Sequence, residues 1–525
     1  MVSTKLALCA CAGLFAGWCG EAQGQWSSNS ANNLAVANLG NEQVQPKVRA
    51  TSDGGCYISW FDNSAGGYDV RIQRLDRLGN EMFAHNGVLV ADLSQSSTQD
   101  YGLTVDSGNN AVLSFQDTRF GGEKITCAKV TSAGAMPWGA TGVQVSVGDG
   151  NSPKVAALSD GNYVVAWLEG STVHRQKLDT NGAAQWTAGG IQEPSGGSTD
   201  FISDVQASTR GNVIISWVRN PARFLYTQKY NASGTAMWNS GSPVIVFDGS
   251  ALQFGYFPPF QSDGVGGAVF SWYETGGTRN VYAQHVDVNG TEVFGHNGTA
   301  VATAVAGVIR FSPSSAYNPV TQETFVFWTD SSDPVQNMWG VSGQKFNAAG
   351  VRQWTNSAIT YVPLNSLQNA FVKTVLNGDG ATALFFDQPG SAKVKAMGVN
   401  GSGALTWSGG IIDACSTVSG KGRLDAVMSA CGETLAVWSD SRSDVNDVYA
   451  QNLQAGGQLG INHQGDVNGD GQVNIDDLTS VILGWGPCGA GDCPADIAPA
   501  PSATSCGGDG AVNIDDLTQV ILNWS

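Results

Sequence analysis

The stretch Ser159-Asp-Gly-Asn-Tyr-Val-Val-Ala-Trp167 contains the pattern that decides the fold of most of the chain. A Gly/Asp/Asn turn opens it, and a continuous apolar run that ends in an aromatic anchor follows. The next extended segment ends in Gln176-Lys-Leu-Asp179, and a Gly-x-x-x-aromatic element comes after it at Gly182 and Trp186. The apolar run is too continuous for either face to contact water, which predicts a strand buried on both faces.

The same pattern repeats between residues 30 and 461, at a spacing of about 54 residues. Aromatic anchors end the apolar runs at Trp60, Phe115, Trp167, Trp217, Trp272, Trp328, Phe386 and Trp438. Seven of these units also contain the Gly-x-x-x-aromatic element. Each unit therefore holds four short strands joined by tight turns. Sheets of this kind, repeated at this period, predict a mainly β protein and an eight-bladed β-propeller.

The two ends of the repeat region complement each other. The last repeat stops after Gln451-Asn-Leu453, without its aromatic residue and its fourth strand. Residues 32–37 match residues 86–91, which form a fourth strand. We therefore expect residues 34–37 to complete the last blade and close the ring. A seven-bladed ring and two separate β domains are the alternatives.

A second pattern, Asp466-Val-Asn-Gly-Asp-Gly-Gln-Val-Asn-Ile-Asp-Asp-Leu478, follows the repeats. Oxygen-bearing side chains stand at alternate positions, a glycine stands at the turn, and a carboxylate closes the loop. This is the ligand spacing of a calcium-binding loop, and hard oxygen ligands suit Ca²⁺. The predicted ligands are Asp466, Asn468, Asp470, Gln472, Asn474 and Asp477. The alternative is an Asp/Asn-rich turn that caps a helix.

The pattern returns less regularly in residues 509–517. Asp509, Asn513 and Asp516 align with ligand positions, but Gly507 and Ser505 stand where the first two ligands belong. Asp496 is the predicted substitute, brought back across the Pro/Ala-rich insertion. The sequence therefore predicts one well-formed calcium site and one weaker site.

Residues 465–525, with their duplicated loop and single following helix, resemble a type I dockerin. The resemblance implies a small α-helical calcium-binding domain and a cohesin-like protein or cell-surface scaffold as partner. It also implies that loop positions 10 and 11 help to select this partner, and these are Ile475, Asp476, Ile514 and Asp515. They are not the Ser/Thr pair of cellulosomal dockerins, which puts a cellulosomal cohesin in doubt.

Residues 1–24 have the layout of a secretory signal peptide, with Lys5 before the apolar segment Leu6–Trp18 and a small-x-small site at Ala22-Gln-Gly24. The expected location is therefore secreted or cell-surface, with no membrane span.

The chain of 525 residues carries a net charge of −18, and it has no basic cluster of the kind that binds nucleic acid. Cys415 and Cys431 could close one loop, and two of Cys488, Cys493 and Cys506 could pair in the C-terminal region, but the sequence does not determine the connectivity.

Two sets of polar residues recur in the predicted blades. Carboxylates follow the anchors at Asp62, Asp117, Glu169, Glu274, Asp330 and Asp440, and glutamines recur at Gln73, Gln176, Gln228, Gln284, Gln344 and Gln451. The acids either form a cation, sugar or catalytic site or cap their turns, and the repetition favours capping. The glutamines either contact a ligand in the central channel or bind backbone between neighbouring blades, and the second is our expectation.

No catalytic constellation stands out in the sequence. The first hypothesis is a non-catalytic binding or surface-display module that is anchored through a cohesin-like partner, with a glycan as a candidate ligand. The second is a polysaccharide-active enzyme of the O-glycosyl hydrolase type. A purely structural envelope protein is the third.

Overall fold

The computed structural model describes residues 25–276, 279–388, 391–460, 465–467, 472–488, 493, 495–498, 508 and 510–524. The predicted signal peptide and three predicted calcium ligands, Asn468, Asp470 and Asp509, lie outside the described residues.

Eight four-stranded antiparallel sheets form the blades of a β-propeller. Strand β1 (Leu34–Ala37) precedes them. The first blade contains β2 (Gln43–Ala50), β3 (Cys56–Asp62), β4 (Asp69–Leu75) and β5 (Val88–Ala91). The second contains β6 (Gly102–Val105), β7 (Ala111–Asp117), β8 (Lys124–Val130) and β9 (Val143–Gln144). The third contains β10 (Gly150–Ala157), β11 (Tyr163–Glu169), β12 (Thr172–Leu178) and β13 (Ile191–Gln192). The fourth contains β14 (Thr199–Ala207), β15 (Val213–Asn220), β16 (Phe224–Tyr230) and β17 (Val244–Phe247).

The remaining blades follow the same plan. The fifth contains β18 (Phe260–Ser262), β19 (Ala268–Tyr273), β20 (Val281–Val286) and β21 (Thr299–Ala300). The sixth contains β22 (Val308–Asn318), β23 (Glu323–Ser332), β24 (Trp339–Phe346) and β25 (Ile359–Asn365). The seventh contains β26 (Ala370–Asn377), β27 (Gly380–Phe386), β28 (Ala392–Val399) and β29 (Ile411–Ser419). The eighth contains β30 (Lys421–Met428), β31 (Thr434–Asp440) and β32 (Asp447–Leu453).

The N-terminal strand β1 supplies the fourth strand of the eighth blade. It pairs antiparallel with β32, so that Leu34 lies opposite Ala450 and Ala35 opposite Tyr449. The predicted eight blades and the predicted closure by residues 34–37 are confirmed, and the seven-bladed and two-domain alternatives are wrong.

Neighbouring blades are joined by the Gly-x-x-x-aromatic elements. Where the aromatic residue is Trp, its indole N–H donates to a backbone carbonyl of the next blade, two residues before that blade's glycine. The bonds are Trp138 to Thr180 (3.0 Å), Trp186 to Ala232 (3.2 Å), Trp238 to Val288 (3.0 Å), Trp354 to Gly401 (3.1 Å) and Trp407 to Ala455 (2.7 Å). The glycine itself packs on the same ring, since a Cβ on Gly290 would lie 2.5 Å from Trp238.

Trp26 supplies this contact at the junction between the last blade and the first. Its indole N–H donates to the Arg77 carbonyl at 2.9 Å, and a Cβ on Gly79 would lie 2.9 Å from its ring. Trp26 is buried (5% exposed), and the packing of the ring therefore begins before the predicted start at residue 30. Arg77 also forms a buried ion pair of 2.9 Å with Glu433 of the eighth blade.

The recurring glutamines connect the third strand of a blade to the loop that follows in the same blade. The Gln176 amide accepts from the Trp186 N–H at 2.9 Å and donates to the Thr187 carbonyl at 2.8 Å. Gln451 makes the matching bond to the Ser27 carbonyl at 2.9 Å, so the N-terminal segment replaces the missing loop of the eighth blade. The expected backbone partners are confirmed. The expected placement between neighbouring blades is wrong for Gln176 but confirmed for Gln344, which also donates to the Val301 carbonyl of the fifth blade at 3.1 Å.

The C-terminal region contains helices α1 (Ile475–Leu483) and α2 (Ile514–Leu522) and the short paired strands β33 (Gly486–Pro487) and β34 (Ala511–Val512). Val473, Val481, Val512 and Val520 form its buried core. Among the described residues, neither helix is long and apolar enough to cross a membrane.

The cysteines agree with the prediction only in part. Cys488 and Cys493 form a disulfide, as expected for two of the C-terminal cysteines. Cys415 is a free, buried thiol, whereas Cys431 is disulfide-bonded. The pairing of Cys415 with Cys431 that the sequence left open is therefore not formed.

Replacing Trp26 by Ala removes the contact between the last blade and the first. Because a buried Trp is lost, we expect the free energy of unfolding of the propeller to fall by about 3 kcal/mol. Urea unfolding followed by circular dichroism measures this change. Trp485→Ala is the control, since this residue is 53% exposed and its replacement should change stability by less than about 0.5 kcal/mol. Unchanged stability of the Trp26 variant would contradict the closing role of this residue.

Candidate functional site

The first predicted calcium loop brings its first and twelfth positions together. Asp477 Oδ1 accepts from the N–H of Val467, the residue after Asp466, at 2.8 Å. Asp477 Oδ2 accepts from the Asn474 N–H at 2.9 Å. Asp466 is 4% exposed and Asp477 is fully buried. The chain around the predicted site is thus folded back on one buried carboxylate.

The second loop has the same arrangement around Asp516. Its Oδ1 accepts from the Ile497 N–H at 2.6 Å, and its Oδ2 accepts from the Asn513 N–H at 2.7 Å. Ile497 follows Asp496 in the chain, as Val467 follows Asp466 in the first loop. Asp496 therefore stands at the place that corresponds to Asp466, although the two loops differ in length.

The described side chains fit a calcium ion in chemistry. The atoms that these Asp, Asn and Gln side chains can offer to a metal ion are oxygens, which Ca²⁺ prefers. A buried carboxylate also requires charged or hydrogen-bonding partners. The loops also cap their helices, because the side chains of Asn474 and Asn513 accept from the N–H groups of Asp476 and Asp515 at 2.8 and 2.7 Å. Cys488 and Cys493 lie close to Asp496, but their sulfur atoms are joined to each other in a disulfide and are not free ligands.

The two loop–helix units present the same exposed apolar side chains, which we call the paired apolar faces. Each face has two Ile, one Leu and one Trp, and the members of the two sets correspond one to one. They are Ile475, Ile482, Leu483 and Trp485 in the first face (58, 56, 82 and 53% exposed), and Ile514, Ile521, Leu522 and Trp524 in the second (59, 56, 73 and 49%). The predicted partner-contacting residues Ile475, Asp476, Ile514 and Asp515 are all exposed.

The acids that follow the anchors are engaged within the propeller. Asp62, Asp117 and Asp440 accept from the N–H two residues later, which is the predicted turn capping. Glu169, Asp330 and Asp440 accept from the indole of their own anchors at 3.0, 2.8 and 2.9 Å. Asp117 and Asp440 also pair with Arg119 and Arg442. These contacts account for the repetition without a ligand.

The first strands of the blades adjoin one another, and their charged side chains form a paired group. Asp100 lies 2.6 Å from the Lys47 ammonium and also contacts Lys154, while Arg49 lies 3.2 Å from Asp425. Burial lowers the pKa of Lys47 to about 8, although Asp100 acts in the opposite direction. Lys373 also lies 3.5 Å from Asp425, so each of these two acids contacts two cations.

Comparison with known proteins identifies no family. No family model matches the chain, and no curated protein matches it. Among solved structures it is similar to an ulvan lyase with a bound oligosaccharide (10% identity, 83% of this chain and 96% of that chain, TM-score 0.43). It is also similar to the polysaccharide lyase Uly1 (10% identity, 82% and 92%, TM-score 0.42) and to a lectin in complex with α-methyl fucoside (12% identity, 62% and 97%, TM-score 0.32). These likenesses carry no argument about activity.

Asp447 gives the eighth blade a pH dependence. Burial, followed by the nearby Asp444, raises the pKa of Asp447 to about 6. The folded state then binds more protons than the unfolded state between pH ~4 and ~6, so stability falls as pH rises through this window. We expect Asp447→Asn to remove this fall and to raise the free energy of unfolding at pH 7 by about 1–2 kcal/mol.

Urea unfolding at a series of pH values tests this expectation. The matched control is Asp92→Asn, because Asp92 is an exposed carboxylate of the connection between the first two blades. If the free energy of unfolding of the Asp447 variant changed with pH as it does in the parent protein, Asp447 would not be the group responsible.

Proposed function

We propose that this chain is an exported, eight-bladed β-propeller that serves as a non-catalytic binding or surface-display module. Its C-terminal unit attaches it to a cohesin-like protein on a scaffold or cell surface, and calcium orders that unit. The observation that carries the proposal is the pair of apolar faces on α1 and α2.

The paired apolar faces have the composition of a protein interface. Leu483 is 82% exposed and Leu522 is 73% exposed, and each is followed by a Trp that is about half exposed. A stable monomer rarely exposes contiguous apolar side chains of this size, and Trp is enriched among the residues that dominate binding energy. The exact correspondence of the two faces supports a role for both of them in contacting a partner.

The charge of the C-terminal unit indicates what the partner presents. Residues 466–525 contain Asp but no Glu, Lys or Arg, and the exposed Asp476 and Asp515 adjoin Ile475 and Ile514. A complementary surface has an apolar centre with Lys or Arg at its rim. We therefore propose that the partner is a protein with such a surface.

Calcium is proposed from the residues that surround Asp477 and Asp516. Asp466, Gln472, Asn474 and Asp477 serve the first site, together with Asn468 and Asp470. Asp496, Asn513 and Asp516 serve the second, together with Asp509. Bound calcium would neutralise the carboxylates of each loop and so hold the helices in place.

The polysaccharide-active enzyme is the weaker proposal. Hydrolysis of a glycosidic bond generally requires a pair of carboxyl groups placed on either side of that bond. The acids of the propeller that were candidates for this role, such as Asp117 and Asp440, are instead bound to Arg side chains and to their own turns.

Calcium removal tests the metal assignment. Differential scanning calorimetry of the full chain should show the transition of the C-terminal unit several degrees lower in EDTA than in excess Ca²⁺, because a ligand that binds only the folded form stabilises it. The propeller transition should not move. Asp477→Asn should remove most of the calcium effect, whereas Asp476→Asn, at an exposed neighbouring position, should retain it. A calcium-independent transition would count against the site.

Charge introduced into the paired apolar faces tests the attachment. In a pull-down from cell-surface extracts, we expect Leu483→Lys combined with Leu522→Lys to weaken partner capture by about 100-fold, since buried unpaired charges oppose association. EDTA should have the same effect. The control is Val320→Lys, which alters an 89% exposed side chain of the propeller. Capture that survives both EDTA and the double substitution would refute the proposal.

A further inference from the structure

A cavity of about 200 Å³ lies between the fifth and sixth blades. Its lining comes from the end of β19, the turn that follows it, the start of β22 and the turn after β23. The connection at residues 248–259 contributes Gln253 from a third side.

Aromatic side chains form one wall of the cavity. Tyr273 and Phe311 line it, with ring centroids 6.4 Å apart. Tyr256 packs behind Tyr273 at 4.3 Å, and Trp339 packs behind Phe311 at 5.1 Å. Tyr273 and Phe311 are only partly buried, so their rings offer apolar surface held in a fixed position.

Two charged side chains of the cavity are held by neighbouring groups. Glu274 accepts from the Ser250 hydroxyl at 2.6 Å and from the Tyr282 hydroxyl at 2.9 Å. Arg310, which is 6% exposed, donates to Asn280 and lies 3.5 Å from Asp330. Both charged groups are therefore held in fixed positions by the fold.

Arg279 differs from these two. Within the described part of the chain, its guanidinium has no hydrogen-bond or ion-pair partner, although the Arg310 N–H donates to its backbone carbonyl at 2.9 Å. The backbone at Arg279 is left-handed (φ 43°), a conformation that a residue other than glycine rarely adopts. Gln253 and Gln336 place two exposed amides on the same rim.

We propose that this cavity binds a uronic-acid unit of an acidic polysaccharide. Arg279 receives the sugar carboxylate, Tyr273 and Phe311 contact the apolar face of the ring, and the amides of Gln253 and Gln336 bind its hydroxyls. A guanidinium matches a carboxylate with two parallel hydrogen bonds, and aromatic rings present flat apolar surface. An oxygen of Glu274 can accept one of these hydroxyls through a lone pair that Ser250 and Tyr282 leave open. This inference rests on the proposed role of the propeller as a binding module but not on its attachment.

Matched pairs of polymers test the assignment. Polygalacturonate, alginate and glucuronan are each titrated into the full chain by calorimetry, alongside carboxyl-reduced forms that keep the backbone and lose the charge. We expect at least one acid polymer to bind about tenfold or more tightly than its reduced form. Arg279→Gln should abolish that difference. Arg423→Gln, which removes an exposed arginine from the eighth blade, should leave it unchanged.

The outcomes separate this inference from the proposed function. Failure of all three acid polymers to bind, or equal affinity for acid and reduced forms, overturns the uronic-acid site. If the Arg279 and Arg423 variants lose the same amount of affinity for the acid polymer, the attraction is a general effect of charge, and this result overturns the uronic-acid site as well. Binding of a neutral glycan that does not depend on Arg279 overturns the site but supports the propeller as a binding module.

Discussion

The contact between an aromatic ring of one blade and a glycine of the next is the constraint on which the propeller depends. The ring packs where a side chain on the glycine would stand, and a Trp at this position adds a hydrogen bond to the backbone. The ring is closed only when the eighth blade contacts the first blade in the same way. The N-terminal segment supplies this contact. Trp26 and β1 do so together, one through its side chain and the other through strand pairing.

This construction uses the repeated glutamines and most of the repeated acids for structure. The glutamines secure loops, and the acids after the anchors cap turns or bind indoles and arginines. The two proposed binding sites use other groups. The cavity beside Arg279 is lined by β19, β22 and neighbouring turns together with Gln253 of the connection at residues 248–259, and the paired apolar faces belong to the C-terminal unit.

The repeat was readable from the sequence because burial on both faces demands continuous apolar runs, such as residues 163–167. The closing strand was readable because residues 34–37 match a fourth strand. Trp26 was missed, although Gln25-Trp26-Ser27 matches Gln185-Trp186-Thr187 and Gln353-Trp354-Thr355. The cavity was not predictable, because Tyr256, Tyr273 and Phe311 come from separate elements and meet only in the folded chain. Spacing suggested Asp496 as a ligand, and the structure places the next residue, Ile497, against Asp516.

We propose that calcium orders the C-terminal unit whose two helices attach the propeller to a partner. Native mass spectrometry of the full chain over a series of free calcium concentrations tests this proposal most directly, because it counts bound ions. We expect a first calcium ion to bind at low concentration and a second at higher concentration, with the first lost in Asp477→Asn. A chain that binds no calcium at any concentration would contradict it.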